Sequence, residues 1–260
     1  MSSNKGRKIL IPIIIIIILI LLGFLAVNIL GVFGDNVELL PASTDASDTA
    51  PTEISAKNVD VNTVKNPIDF KTLRKTNSEA VAWIYVPGTN IDYPIMQSLT
   101  SDDYYLHRDI NGDYKYAGSI YMEYCNRDDF SDRVTVLYGH NMANGSMFAH
   151  LHKFGNSDFF KKHKKFYIYT DKRKLTYQIV SSYVYDSRHI MNSFNFADND
   201  VFEEYLNFIQ NPRSATRNTR EKLDHNLTTD DRVVTLSTCL NSGDGRYLLQ
   251  GVLTKDELTR

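Results

Sequence analysis

The chain has 260 residues, 42% of them hydrophobic, with 29 basic and 31 acidic side chains and a formal net charge of −2. Three of the basic residues lie near the N-terminus, at Lys5, Arg7 and Lys8, so the rest of the chain is slightly more acidic and offers no polyanion-binding surface. Nucleic acid is therefore not an expected partner.

A long apolar run near the N-terminus predicts a membrane span. No charged residue occurs from Ile9 to Gly34, and a helix that rises about 1.5 Å per residue over this length crosses a hydrocarbon layer of about 30 Å. The apolar region of a cleaved signal peptide is shorter, about 7 to 15 residues, so we expect an uncleaved anchor. Because basic residues precede the span and acidic residues follow it, the positive-inside rule places residues 1–8 in the cytoplasm, residues 9–34 in the membrane and the rest outside.

The segment after the span differs from the remainder of the chain. Residues 35–66 are rich in Ser, Thr, Ala, Asp and Asn, a composition too polar to build a core, and they predict an extracytoplasmic linker. Residues 67–260 are long enough for a single well-packed core. We therefore expect one globular domain on a tether.

Short segments rich in β-branched and aromatic residues recur through the globular part, separated by turn-forming residues. The predicted strands are 81–86, 91–96, 118–122, 133–138, 166–170, 174–185, 232–238 and 246–254. The pair Pro87-Gly88 predicts a tight turn between the first two strands. Since few helices lie between these strands, we expect a mainly β fold with a closed or nearly closed barrel.

Three segments show helical signals. The first starts with proline and aspartate, which suit a helix N-terminus, and the longest carries an apolar face that Asn199 or Asp200 can cap. The predicted helices are 67–77, 101–107 and 201–210. The polar stretch 212–229 that follows is expected to be a surface loop.

Cys125 and Cys239 are the two cysteines of the chain. Outside the cell they can form a disulfide, or they can be one structural and one reactive thiol. Cys239 ends the apolar run 232–238 and precedes turn-forming residues, so we expect it at the rim of the barrel. Position alone leaves a structural role open, because free cysteine is among the most buried residue types.

His140 also lies where a predicted strand gives way to a loop, so it can reach the same rim as Cys239. A thiol with a pKa of about 8.5 is mostly protonated at neutral pH, and an imidazole can act as its base or stabilise the thiolate. Arg246 begins the next strand and can return across the turn to stabilise an oxyanion. These three residues are the predicted catalytic group.

The other histidines receive simpler interpretations. Four lie in polar sequence and are expected at the surface: His107, His163, His189 and His225. His150 and His152 invite a metal site with His140, but their two-residue spacing does not put both on one face of a helix. The chain also has no Cys-x-x-Cys or His-Glu-x-x-His motif, so no metal or other cofactor is predicted.

At this point the residues resemble a known family, the class B sortases. Thr235-Leu236-Ser237-Thr238-Cys239 is similar to the Thr-Leu-x-Thr-Cys signature of sortases, and Arg246 stands in the place of their active-site arginine. Tyr138-Gly139-His140-Asn141-Met142 resembles the histidine segment of class B. Three more segments follow the family pattern in order: Trp83 to Gln97, Tyr104-Tyr105-Leu106 and Ala117-Gly118-Ser119-Ile120-Tyr121.

The resemblance implies an eight-stranded closed barrel with an N-terminal helix, and a helix beside the substrate groove in the connection between the sixth and seventh strands. It also implies a cysteine transpeptidase that cleaves the C-terminal sorting signal of a secreted protein and holds the product as a thioester on Cys239. An amine of a peptidoglycan precursor then accepts the protein, with His140 as acid and base. Cys125 matches no motif of the family.

Three alternatives use the same observations. A hydrolytic cysteine protease has the same dyad with water in place of the amine. A pilin-polymerising sortase transfers its substrate to a pilin amine instead of the cell wall. A surface adhesion or scaffold domain would need no catalysis at all.

Overall fold

The computed structural model of the chain describes residues 63–241 and 244–260. The predicted cytoplasmic tip, the predicted membrane span and residues 35–62 of the predicted linker lie outside these ranges. Within them, no helix has the length and apolar character needed to cross a membrane.

Nine strands form one sheet, eight of which close into a barrel. Their bounds are β1 (Ala80–Tyr85), β2 (Asp92–Met96), β3 (Ile120–Met122), β4 (Val134–Tyr138), β5 (Lys165–Tyr169), β6 (Arg173–Tyr185), β7 (Arg217–Thr219), β8 (Val233–Cys239) and β9 (Arg246–Leu258). The strands follow the order β5-β1-β2-β3-β4-β8-β9-β6, and pairing of β5 with β6 closes the ring. The predicted mainly β barrel and its eight strands are confirmed.

The ninth strand, β7, lies in the stretch 212–229, so the expectation that this whole stretch is a loop was wrong. β6 has 13 residues, and β5 pairs only with its first half, up to Gln178. The free edge that remains on β6 pairs with β7 from Ser181 to Tyr183. The segment Arg-Asn-Thr has no apolar alternation, and an available edge alone explains why it is a strand.

Two of the strand pairs in the ring are parallel, β2 with β3 and β4 with β8. Parallel neighbours run in the same direction, so their C-terminal ends meet at one rim of the barrel. β9 returns antiparallel along β8 and begins at that same rim. The ends of β4 and β8 and the start of β9 therefore lie side by side.

The barrel interior is filled by side chains that alternate along each strand. Along β1 every second residue is buried, and Ile84 packs with Ile95, Leu137, Phe166 and Leu236, all of them without solvent exposure. Period-two alternation of this kind is what a strand with one face toward a core requires.

Helices flank the barrel. Their bounds are α1 (Phe70–Thr76), α2 (Ser157–Lys162), α3 (Ile190–Ser193) and α4 (Asn199–Gln210), with 3-10 helices at Tyr104–His107 and Ala149–Gly155. The three predicted helices are present, but the cap of α4 is Asp198, whose carboxylate accepts from the backbone N–H groups of Asp200 and Val201. The expected cap at Asn199 or Asp200 was therefore one or two residues late.

The last residues of the predicted linker already bind the barrel. The backbone N–H of Val64 donates to the Leu258 carbonyl at 2.9 Å, and that of Arg260 donates to the Val64 carbonyl at 3.0 Å. The Asn66 side chain donates to the Thr170 carbonyl at 2.9 Å. The globular domain thus includes Val64 and Asn66, which precede residue 67.

A buried polar network fixes α4 to the barrel. Gln250 of β9 has no solvent exposure and accepts from the Thr235 hydroxyl at 2.7 Å. Its amide nitrogen donates to the hydroxyls of Tyr183 at 2.9 Å and of Tyr205, on α4, at 3.3 Å. The Tyr205 and Thr235 hydroxyls lie 3.2 Å apart. All four side chains obtain partners that water cannot supply there.

We predict that Gln250→Leu lowers the free energy of unfolding by about 2 to 4 kcal/mol, because it leaves buried hydroxyls without a partner. Tyr205→Phe removes only one hydroxyl and should cost about 1 kcal/mol. Urea unfolding of both variants, followed by fluorescence of Trp83, measures the difference. Equal costs for the two variants would show that the network contributes no more than one ordinary hydrogen bond.

Candidate active site

The pairing of three neighbouring strands brings the predicted residues together. In the parallel pair, Tyr138 of β4 lies opposite Ser237 of β8, so the continuation of this register sets His140 beside Cys239. In the antiparallel pair, Cys239 lies directly opposite Arg246 of β9. The three side chains line one cleft of about 240 Å³.

Two hydrogen bonds tie the end of β4 to the end of β8. The Gly139 N–H donates to the Ser237 carbonyl at 3.2 Å, and the Thr238 hydroxyl donates to the Gly139 carbonyl at 2.8 Å. A Cβ at Gly139 would lie 2.5 Å from Ile120 and 2.8 Å from Phe148, so only glycine permits this close approach. These bonds extend the strand register up to His140.

The imidazole of His140 is held by the 3-10 helix Tyr104–His107. Its Nε2 lies 2.9 Å from the Leu106 carbonyl oxygen. A carbonyl can only accept, so Nε2 carries a proton and Nδ1 is the nitrogen that can gain or lose one. The rings of His107 and Tyr116 stack on the His140 ring at centroid distances of 5.1 and 5.6 Å.

Burial lowers the pKa of His140, and the charge of His107 acts in the same direction, while the bond to Leu106 opposes both. Burial disfavours the imidazolium because it removes the charge from water. The neutral form of His140 is therefore favoured relative to a free histidine.

Glycine at position 118 places the Leu106 carbonyl. Gly118 has a φ of +57°, and a Cβ there would lie 2.1 Å from the Leu106 oxygen and 2.6 Å from the Tyr105 oxygen. The backbone at Tyr105 and Leu106 can approach Gly118 this closely only because Gly118 has no side chain. Gly118 in the segment 117–121 thus affects His140 indirectly, through the position of the Leu106 carbonyl.

Cys239 is half-buried, and Cys125 is exposed. Both thiols are free, so the disulfide alternative does not hold. Burial, together with the charge of Glu123, raises the pKa of the Cys125 thiol, which reduces its thiolate fraction at neutral pH.

A buried acid contacts Tyr138 and His189, two of the residues that line the cleft. Glu123 is 2% exposed, accepts from the Tyr138 hydroxyl at 2.6 Å and lies 3.0 Å from Nε2 of His189. Burial raises the pKa of Glu123, although the Tyr138 bond and the His189 charge act against it. Potential metal-ligand atoms of Asp102, Glu123 and His189 lie within 4.8 Å of one another, and Glu123 already obtains partners within this group.

Three histidines at the site were not expected there. His107 stacks on His140, and His189 lines the cleft, although both were expected to be surface residues. His152 donates through Nε2 to the backbone carbonyl of Cys239 at 3.0 Å. Each contact joins residues far apart in sequence, and the family motifs do not include these positions.

Further depressions continue from the cleft along β6. A cavity of about 70 Å³ shares Tyr138, His189 and Arg246 with the cleft. It also shares Tyr185 and Arg188 with a larger cavity of about 880 Å³ beside α4. The larger cavity contains none of the predicted catalytic residues, and all three of them line the cleft.

Comparisons with known proteins identify the family to which the chain is similar. A sortase-domain family model matches residues 84–254. Sortase B of Listeria monocytogenes is 35% identical over 188 residues, which are 71% of this chain and 74% of that protein. The crystal structure of Clostridium perfringens sortase B has a TM-score of 0.65 and 31% identity, and the match covers 72% of this chain and all of that one. A class B sortase from Streptococcus pyogenes, involved in pilus biogenesis, has a TM-score of 0.61 and 35% identity, with 72% and 98% covered.

We predict that Gly118→Ala displaces the Leu106 carbonyl and releases His140. The clash and the positive φ should lower the free energy of unfolding by about 2 to 3 kcal/mol. Nitrogen-15 NMR of labelled histidine should show faster exchange of the His140 Nε2 proton with water. Gly112→Ala is the matched control, because Gly112 has a φ of +81° but its Cβ would meet only the Tyr104 hydroxyl, at 3.8 Å. Equal loss of Nε2 protection in both variants would contradict the role of Gly118.

A second prediction concerns the titration of His140. In a Cys239→Ala background, its NMR midpoint should lie below the usual histidine value of about 6.5. The unfolded chain then binds more protons than the folded one between the two pKa values, so the free energy of unfolding should rise with pH in that window. His140→Gln should make this rise shallower. A midpoint above 6.5 would contradict the burial argument.

Proposed function

The chain belongs to the sortase family, and we propose that Cys239, His140 and Arg246 carry its reaction. The protein is a cysteine transpeptidase of the class B type, which attaches proteins to the cell wall. The hydrolytic, pilin-polymerising and non-catalytic alternatives are not favoured by these relationships. Sequence and fold agree on the family, and the roles of the three residues are our proposal.

One observation carries the proposal. The predicted nucleophile, the predicted acid–base and a permanent cation occupy adjacent positions across β4, β8 and β9. Acyl transfer needs three groups that all reach the scissile carbonyl: a nucleophile, a group that transfers protons and a hydrogen-bond donor for the oxyanion. Strand pairing provides this arrangement with backbone hydrogen bonds, which are more rigid than loop contacts.

In the acylation step, Nδ1 of neutral His140 takes the proton of the Cys239 thiol, and the thiolate attacks the scissile carbonyl of the sorting signal. The Arg246 guanidinium stabilises the oxyanion, because it keeps its charge at any working pH. The carbon–nitrogen bond breaks, and the proton on Nδ1 of His140 passes to the leaving amine. The product is a thioester on Cys239.

In the second step, an amine attacks the thioester. His140 takes a proton from the attacking nitrogen through Nδ1, and the carbon–sulfur bond breaks to return the thiolate. A new amide joins the secreted protein to the acceptor. The Leu106 carbonyl keeps Nε2 protonated throughout, so one nitrogen serves both steps.

Two substrate classes follow from the family: proteins with sorting signals and amines of peptidoglycan. We infer that the sorting signal lies along the depressions that run from the cleft past Tyr185 toward α4. α4 lies in the connection between the sixth and seventh strands of the barrel. The inference assigns α4 to the donor substrate.

The family is associated with the cell surface. We propose in addition that residues 9–34 anchor the chain in the membrane, with residues 1–8 in the cytoplasm and residues 35–62 of the predicted linker as a tether for the catalytic domain. Secreted substrates and lipid-linked wall precursors occupy the same surface, so the anchor raises the effective concentration of both. The length and apolarity of residues 9–34 support this topology.

The test incubates the purified full chain with a library of sorting-signal peptides and an amine from peptidoglycan, and analyses the products by mass spectrometry. We expect a ligated peptide, and no thioester in Cys239→Ala. Arg246→Lys should lower kcat by at least about tenfold, since an ammonium cannot reproduce the planar guanidinium. Cys125→Ala is the matched control and should retain activity. Hydrolysis without ligation, in the presence of good amines, would contradict transpeptidation.

A further inference from the structure

A histidine outside the predicted catalytic group contacts the nucleophile residue directly. His152 lies in the 3-10 helix Ala149–Gly155, and its Nε2 is 3.0 Å from the backbone carbonyl oxygen of Cys239. A carbonyl can only accept, so Nε2 carries the proton and donates. Leu151 and Phe154 of the same helix have no solvent exposure, which fixes the helix to the barrel.

The position of this bond makes it important. Cys239 is the last residue of β8, and its ladder with β9 ends at the pair with Arg246. Beyond it the chain enters a turn, so the carbonyl of Cys239 marks the point where sheet order ends. The peptide unit from Cys239 to Leu240 is planar, and a bond to its oxygen therefore also sets the direction of the Leu240 N–H.

The ring of His152 is itself held in place. It packs on Tyr247 at a centroid distance of 4.8 Å, and Tyr247 is 5% exposed. Tyr247 follows Arg246 on β9, so one side chain contacts the neighbour of the arginine and the backbone of the cysteine. The ring is a link between the two strand ends that carry Cys239 and Arg246.

We propose that His152 is a positioning residue, whose Nε2–H holds the Cys239–Leu240 peptide so that the thiol keeps its register with His140 and Arg246. The proposal rests on the proposed function in one respect, since it takes Cys239 as the nucleophile. The Nε2 atom donates in the neutral and in the charged ring, so the bond does not depend on the protonation state of His152.

A second histidine of the same helix provides a natural contrast. Nδ1 of His150 accepts from the backbone N–H of Asn90, at 3.0 Å, in the turn between β1 and β2. His150 thus ties the helix to a different part of the barrel. Loss of His150 should loosen the helix without changing the Cys239 peptide.

The experiment measures the rate at which iodoacetamide alkylates Cys239 in the full chain, in a Cys125→Ala background so that one thiol reports. A thiol that leaves its register loses the stabilisation of its thiolate by neighbouring positive groups, and alkylation at neutral pH slows. We expect His152→Phe, which keeps a ring but has no donor, to be slower by about fivefold. His152→Gln, which has an amide donor of similar reach, should recover to within about twofold.

Three results would overturn the proposal. His152→Phe could react at the rate of the parent, His152→Gln could be as slow as His152→Phe, or the control His150→Phe could be equally slow. The second result would assign the effect to ring packing and the third to the helix as a whole. Thermal melting by circular dichroism checks the fold of each variant. If His152→Phe and His152→Gln melt at different temperatures, His152→Met replaces His152→Phe as the variant without a donor.

This outcome is separable from that of the proposed function. If Cys239 is not the nucleophile, Cys239→Ala retains ligation, whatever the alkylation rates of the His152 variants are. If Cys239 is the nucleophile and His152 has no positioning role, Cys239→Ala is inactive and His152→Phe alkylates normally.

Discussion

The parallel pairing of β4 with β8 is the interaction on which the candidate site depends. Parallel strands end at the same rim, and their hydrogen bonds determine which residue of one lies beside which residue of the other. With Tyr138 opposite Ser237, the strand register alone makes His140 and Cys239 neighbours. A slip of one residue would turn every side chain of β8 to the opposite face, so the packing of the barrel core and the geometry of the site are one constraint.

Segments outside the sheet build the rest of the site. Each contributes a hydrogen bond between a histidine ring and a backbone carbonyl. The 3-10 helix before β3 contributes the Leu106 carbonyl that binds His140. The 3-10 helix after β4 contributes the His152 ring that binds the Cys239 carbonyl. The first contact holds the side chain of His140 after β4, and the second holds the backbone carbonyl of Cys239 at the end of β8. Loops supply the orientation, and strands supply the register.

Much of this arrangement can be predicted from the sequence because it is local or ordered along the chain. Segments rich in β-branched and aromatic residues predict the eight barrel strands, and the motif around Cys239 with His140 and Arg246 predicts one rim. β7 could not be predicted, since a three-residue polar strand depends only on the free edge of β6. The helices at 149–155, 157–162 and 190–193 are too short to show a period. His107, His152 and His189 act through long-range contacts, for which composition gives no signal.

The backbone bonds at Val64 have a mechanical consequence. If the segment before residue 63 is tethered to a membrane while the substrate becomes fixed to a rigid wall, tension enters the domain near Val64. Three hydrogen bonds, from Val64 to Leu258, from Arg260 to Val64 and from Asn66 to Arg260, share that load. All three bonds involve Leu258, the last residue of β9, or Arg260 just beyond it. A pull on the tether is therefore carried at the end of β9 that is opposite to Arg246, before it can reach the rim that carries the proposed catalytic residues.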